Sequence, residues 1–497
     1  MRPQNRVCRE CTTELSQYNP GDLCAQCATT GPTQGVPDRA WRDEKVHRAL
    51  AAWDFGEVLR LVRARSGLSQ VAVSSCTALP QSFVSALERG QKQIGSPRTL
   101  LDLLNGLGLP TDLQPLLLEP LRDNSTQLGH SSSIEAALPW TTDRMVTSLE
   151  VAIGGSMKRR RVLTALGGAA LTQHVLQSAI APTEAMAAPS GTPTVSTELI
   201  DSLQSTTDAL RQVDATSGSG SLVYTAKAHL KILLNLLKHG SYGERLGRRL
   251  AAVTADTAAQ TGWYTFDSGD HGAAQRLFLG ALRAAHASGD SRLRAGALGF
   301  LAIHGYSAGD PRDAITAART ARQAITKHDA PALTAMLLTR QARGHARLRE
   351  ERHALAALSE AEELCARGRG EDDPYWLYWI NRGEILGQTG SCHLELGRPS
   401  LAAGAFASAR HELSRDETRT TAQFLSRAAT AQMRAGEADA GCVIAHEVLS
   451  LVEGIQSARL DEHLRNMLNE ARAYGDAAPA KELMSRGEHI MRQRAAA

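Results

Sequence analysis

Aromatic side chains are scarce in this chain, 4% of its 497 residues, and strand-like alternation of apolar and polar residues is nearly absent. A β-rich core is thereby disfavoured, and the composition is all-α. Common catalytic signatures are also missing. There is no Gly-rich phosphate loop followed by Lys-Ser/Thr, no His-Glu-x2-His and no Gly-x-Ser-x-Gly. The 16 histidines are dispersed, and His271, His304, His353 and His393 stand singly in helical segments, as surface or packing residues do. Glu371-Asp372-Asp373 precede Pro374 and suit a solvated helix start rather than a paired acid and base. No catalytic residue is assigned, and the chain is not expected to be an enzyme. Net charge is nearly absent too, at +3, so nucleic-acid binding would need a local concentration of cations. No secretory leader is visible, which places the expected location in the cytoplasm.

Such a concentration lies between Gly56 and Arg98, with six Lys/Arg against Glu57 and Glu88. The run Gly56-Glu-Val-Leu-Arg-Leu-Val-Arg-Ala-Arg-Ser-Gly-Leu-Ser-Gln70 opens with an amphipathic helix carrying Val58, Leu59 and Val62 on one face. Gly67 stops it and Ser69 is placed to cap a second helix running to about Thr77. Pro80 suits the first turn of a third helix, which Gly90 ends. This is the outline of a helix-turn-helix. With "GLSQ" at Gly67–Gln70 and "LERG" at Leu87–Gly90, the run resembles the phage-repressor (XRE) family of DNA-binding domains. The resemblance implies that Gln70 steadies the domain on the DNA backbone and braces the first residue of the third helix. It implies that Gln81, Ser82 and Ser85 face base edges, residue types suited to major-groove readout. Arg89 and Lys92 then suit phosphate contacts. Two departures are Ala78, where the family usually has the turn Gly, and Ser74, where it prefers Ala.

Upstream, Cys8-x2-Cys11, twelve intervening residues and Cys24-x2-Cys27 match a tetrahedral four-thiolate site of the zinc-ribbon type. Two disulfides are the competing pattern, disfavoured in a chain expected to be cytosolic. A closed four-cysteine site leaves no position for substrate, so the zinc, one per chain, is read as structural. Cys76, Cys365, Cys392 and Cys442 lie singly in helical patterns as packed thiols.

From about residue 195 to the end, Ala and Leu recur at helical spacing. Gly269-Asp270, Gly309-Asp310, Arg349-Glu350, Gly397-Arg398 and Gly436-Glu437 each sit between two helix-length segments, at steps of 40, 40, 48 and 39 residues. A period of this size with a mid-repeat turn marks stacked helix pairs. The wording from Trp263 to Phe278 resembles tetratricopeptide (TPR) repeats in a lengthened form. The expected divisions are a zinc-ribbon-like module at 1–35, the helix-turn-helix at 52–119, a joining region with a basic helix at 120–200, and repeats over 201–497. Within the joining region, the Pro/Ala/Ser/Thr-rich stretch from Ala181 to Thr197 reads as a flexible linker. Met157-Lys-Arg-Arg-Arg begins a segment like a twin-arginine signal, but Gln173 and His174 break its apolar stretch short of the roughly 20 residues a bilayer needs. No membrane partner is expected.

Tyr375, Trp376, Tyr378 and Trp379 place four of the 21 aromatics within five residues, expected to open a helix that continues through Asn381. A helix cannot bury all four on one stripe, so some face the concave side, where with Asn381 they would form a groove for a peptide or protein effector. Leu464, Met467 and Leu468, with Ile490, form a stripe that no further repeat covers, and suggest a homodimer contact at this end or on the adjacent repeats. The order of parts is similar to that of large actinomycete regulators, among them Streptomyces proteins that restrain sporulation and antibiotic production. That resemblance implies a DNA-binding transcriptional regulator, often a repressor. Two alternatives stay open: a peptide-sensing regulator of the quorum type, and an interaction scaffold whose DNA binding is vestigial.

Overall fold

A computed structural model of the chain describes residues 36–51, 54–92, 94, 97–110, 113, 140–154, 167–414, 417–452, 454–475 and 477–496. These form 22 α-helices and no named strand. The chain divides into two compact units, Met1–Arg122 and Asp123–Ala497. Cys8, Cys11, Cys24 and Cys27 lie outside the described residues, as does the basic run Lys158–Arg161. No described helix is long and apolar enough to cross a membrane.

In the first unit the helices are α1 (Asp38–Trp41), α2 (Glu44–Ala51), α3 (Phe55–Ser66), α4 (Gln70–Thr77), α5 (Gln81–Glu88) and α6 (Pro97–Leu107). Their ends follow the local chemistry. The Asp54 carboxylate accepts the Glu57 N–H at 3.0 Å to start α3, and Gly67 ends it in the left-handed region at φ 72°. Ser69 Oγ accepts the Ala72 N–H at 3.1 Å to start α4. Val58, Leu59 and Val62 are fully buried, as are Val73, Val84, Leu100 and Leu103 of the same core. Two glycines set how closely the helices cross. A Cβ on Gly56 would lie 2.4 Å from the Leu87 carbonyl oxygen, and one on Gly106 would lie 2.3 Å from that of Cys76. Helices α1 and α2 precede the expected start at residue 52 yet belong to this core, for Trp41, Val46 and Leu50 are fully buried. The Val36 N–H also donates to the Leu107 oxygen at 3.1 Å, tying the segment to α6.

In the second unit, α7 (Thr142–Ile153), α8 (Ala169–Ile180), α9 (Thr197–Ser217) and α10 (Val223–His239) precede the repeats. Six helix pairs follow: α11 (Glu244–Asp267) with α12 (His271–Ser288), α13 (Ser291–Ala308) with α14 (Pro311–Ala324), and α15 (Pro331–Arg347) with α16 (Glu351–Arg367). Then come α17 (Arg382–Glu395) with α18 (Pro399–Glu412), α19 (Thr418–Arg434) with α20 (Ala438–Leu451), and α21 (Ala458–Arg472) with α22 (Ala478–Ala496). Each of the five landmarks falls at the turn inside a pair. In the first two the acid starts the second helix, for Asp270 and Asp310 accept the N–H of Ala273 (2.9 Å) and Arg312 (2.8 Å). Where the third landmark lacks Gly, Arg349 still takes the left-handed conformation, φ 61°, at a cost of roughly 1 kcal/mol. The 48-residue step arises from the loop before α17, which holds a single 3-10 turn at Tyr375–Leu377.

Three sequence expectations need correction. The stretch Ala181–Thr197 is not a loose linker: the Ala188 and Val195 N–H groups donate to the Tyr242 and Ser241 oxygens at 2.9 Å, and Met186 and Val195 are buried. Composition suggests flexibility, but the two apolar side chains anchor it. The stripe Leu464, Met467 and Leu468 is not available to a second copy, because it is buried in the chain's own terminal core with Ala480, Leu483 and, at the margin, Ile490. The terminal repeat covers its own face with α22. Of the single cysteines, Cys392 and Cys442 are buried as expected, whereas Cys76 is exposed and Cys365 half-buried.

Candidate nucleic-acid interface and the interior of the repeats

The turn between α4 and α5 keeps the helix-turn-helix shape despite its non-glycine residue. Ala78 occupies the left-handed region at φ 55°, ψ 16°. The Ser74 hydroxyl, at the other departure from the family pattern, donates to the Leu79 oxygen at 2.5 Å and so bridges the turn. Pro80 precedes α5 as its N-cap. Gln81 and Ser82 are exposed at the start of α5, Ser85 is half-buried one turn on, and Arg89 and Lys92 are exposed beyond its end. Residues 81, 85 and 89 repeat at helical spacing and share one face. The Lys92 ammonium lies 5.5 Å from the centre of the Phe83 ring.

Gln70 braces α5 at its far end, not at Gln81. Its amide donates to Glu88 Oε2 at 2.6 Å, and Arg63 grips the same carboxylate at 2.5 and 3.1 Å. Burial opposes ionisation of Glu88, but the Arg63 and Gln70 hydrogen bonds outweigh it and hold its pKa below the usual range. Arg60 and Arg65 are likewise paired, with Glu57 and Asp43. The local cation surplus therefore resolves into two parts. Arg60, Arg63 and Arg65 are spent within the domain, while no ion pair is found for Arg89 or Lys92 among the described residues. Sequence composition alone could not make that division, because Asp43 lies outside the counted run.

In the second unit the aromatic cluster does not open a helix. Pro374 forces the 3-10 turn Tyr375–Leu377, and α17 begins only at Arg382, with Asn381 as its N-cap accepting the Glu384 N–H at 2.9 Å. Asn381 also donates to Glu417 at 3.0 Å, so its amide is engaged on both sides. Trp376 and Trp379 are half-buried, the latter beneath the Arg340 guanidinium at 5.6 Å, and Tyr378 is exposed. The Tyr375 hydroxyl reaches back to Asp208 on α9 at 2.8 Å.

That contact is one of several by which α9 closes across the repeats. Arg419 pairs with Asp214 at 2.7 Å, and the Gln456 N–H donates to the Ser217 oxygen at 3.2 Å; next to them, Ser457 Oγ donates to Asp267 of α11 at 2.9 Å. On the α9 side Arg211 pairs with both Asp208 and Asp256. Histidines that look solitary in the sequence also meet in pairs. The His345 and His353 rings stack at 5.1 Å, and His271 and His304 both lie against Phe266. Burial first, then His271, pushes His304 down to about 4. His345, Glu350 and His353 could together hold a metal ion, but His345 Nδ1 already bonds Glu350 at 2.5 Å.

Residues 54–117 match the family model of a helix-turn-helix domain. No curated protein matches the chain. Among solved structures, a Rap protein complexed with competence and sporulation factor is similar at 12% identity and a TM-score of 0.37, covering 60% of this chain and 99% of that one. The TPR domain of P58(IPK) is 12% identical, with a TM-score of 0.18, over 85% of this chain and 98% of that one. A circular tandem repeat protein is 15% identical, with a TM-score of 0.15, over 91% and 93%.

Proposed function

We propose that this protein is a sequence-specific DNA-binding transcriptional regulator, a repressor, in which α5 reads the major groove. The observation that carries the reading is the α5 surface: two exposed amide and hydroxyl side chains, Gln81 and Ser82, followed by the exposed cations Arg89 and Lys92. Gln pairs bidentately with adenine and Ser accepts several bases, while Arg and Lys fix the domain on phosphate. Gln70, in this reading, acts chiefly by holding α5 through Glu88. Selection of bound sequences from a random DNA pool tests the proposal. An enriched motif is expected, and Gln81→Ala should lose about 1–3 kcal/mol of discrimination at one or two of its positions. No enrichment above bulk DNA would instead favour a scaffold with vestigial DNA binding.

Two further parts belong to the same reading. The thiolates of Cys8, Cys11, Cys24 and Cys27 hold one structural zinc, for which four soft donors in two C-x2-C pairs are a suitable set. The protein acts as a homodimer, since one module reads a short half-site and a two-fold operator supplies the missing affinity. The contact must lie elsewhere than on Leu464, Met467 and Leu468, which are buried within one chain.

A further inference from the structure

On the α9 side of the repeat interior the carboxylates Asp208, Asp214, Asp256 and Asp267 surround Arg211 and Arg419; on the opposite side the excess is of arginine. A cavity of about 450 Å³ opens there, walled by six arginines against two carboxylates, Glu395 and Glu462; of the six, Arg434 is paired with Glu470 at 2.5 Å, outside the lining. Glu395 is already taken: Arg343 holds it at 2.6 and 3.3 Å and adds a bond to Gln388 at 3.0 Å. Arg427 reaches the same carboxylate only at 3.5 Å, and its buried Nε has no hydrogen-bond partner among the described residues. Arg459 makes no ion pair among the described residues and rests on the Trp263 face at 5.7 Å. His463 faces these three guanidinium groups. Burial, followed by repulsion from Arg427, Arg459 and Arg343, drives its pKa well below the usual value. Burial and Arg343 likewise push Arg427 down to about 10. A folded chain that gathers guanidinium groups from α15, α19 and α21 around one spent carboxylate, with Glu462 exposed, holds more positive charge there than it neutralises, an arrangement costly without a counter-anion.

We infer that this cavity binds a phosphate-bearing small molecule, the effector of the regulator, with Arg427 and Arg459 as its principal ligands and Arg343 and His463 beside them. A planar carboxylate satisfies one fork, as Glu395 does for Arg343. Forks arriving from three separate helices suit a tetrahedral anion with oxygens on several sides. The volume fits a compact metabolite. The cavity also borders the contacts by which α9 closes the repeats, for Arg419 and Arg459 share the Trp263 ring, and Asp267 lies near Arg419 and bonds Ser457. Occupancy would therefore strengthen that closure. The effector role rests on the regulatory reading above; the binding claim does not.

Calorimetric titration of the full chain with pyrophosphate at constant ionic strength tests the site, alongside melting curves and a citrate comparison. Saturable binding of one pyrophosphate per chain with a rise in Tm is expected, and citrate should bind more weakly. Arg459→Met should melt higher than the parent without ligand, because a repelling charge is gone, yet bind pyrophosphate at least tenfold more weakly. Arg427→Met should behave alike and serves if the first variant does not fold. A structural role would predict the reverse, a lower melting point with affinity unchanged. Absence of saturable binding, unchanged affinity in both variants, or tighter citrate binding would each overturn the inference. DNA selection on the same preparation reports the regulatory reading separately.

Discussion

Asp313 offers a quantitative test of the second unit. It lies in the first turn of α14, 4% exposed, and its Oδ2 accepts the Gly168 N–H at 2.9 Å just before α8. Burial, partly offset by that hydrogen bond, raises its pKa from 3.8 to about 6. A carboxyl whose folded pKa exceeds its unfolded one favours the fold when protonated. Its stabilising contribution is present below about pH 4 and is lost as pH rises through 6. The distance from 3.8 to about 6 corresponds to about 3 kcal/mol, an upper bound on the strain that the ionised group imposes at neutral pH. Asp313→Asn removes the charge but keeps an oxygen for Gly168. The variant should therefore be more stable than the parent at pH 7.5, by up to about 3 kcal/mol, and the gap should shrink toward zero near pH 4. Urea unfolding of both proteins across this range measures it. A less stable variant at pH 7.5, or a gap independent of pH, would refute the reasoning; taking the parent–variant difference cancels the opposite contribution of His304.

Four other outcomes are expected. Arg89→Ala should weaken binding to all DNA sequences alike and lower the salt slope by about one unit, read by mobility shifts at several salt concentrations. Elemental analysis should find one zinc per chain, lost together with the fold of the 1–35 segment when Cys8 and Cys11 are replaced by Ser. Gly106→Ala should destabilise the first unit by about 1–3 kcal/mol, since its Cβ would meet the α4 backbone; chemical denaturation checks it. Light scattering should find a dimer, and Met467→Ala should lower the melting temperature without changing the mass.

What can be read in the chain alone is what local chemistry determines. The cap at Ser69, the stop at Gly67 and the Gly-Asp turns act over three or four residues. Each is legible because one side chain or one φ angle fixes the outcome. Proline cuts the other way at Tyr375–Trp379, where the aromatic density suggests a helix but Pro374 sets a 3-10 turn and Asn381 delays the helix start. Helices α1 and α2 escape a reading of the sequence because they are short and carry no family wording. Only the burial of Trp41 and Val46 shows that they complete the core.

The site residues divide on the same line. Gln81, Ser82, Arg89 and Lys92, which the family resemblance marks, are exposed at the start of α5 and beyond its end. The role of Gln70 cannot be read from the chain alone, because Glu88, 18 residues away, competes for its amide. The arginine cavity is farther still from view. Arg343, Arg427 and Arg459 stand on three different repeats, and each looks like an ordinary solvated cation in its own helix. They meet only because the stacking of the repeats brings α15, α19 and α21 to one cavity. In a solenoid, neighbours in sequence determine each helix pair, whereas the interior is assembled from one residue per repeat. Charge gathered there belongs to the assembled fold and not to any one helix pair.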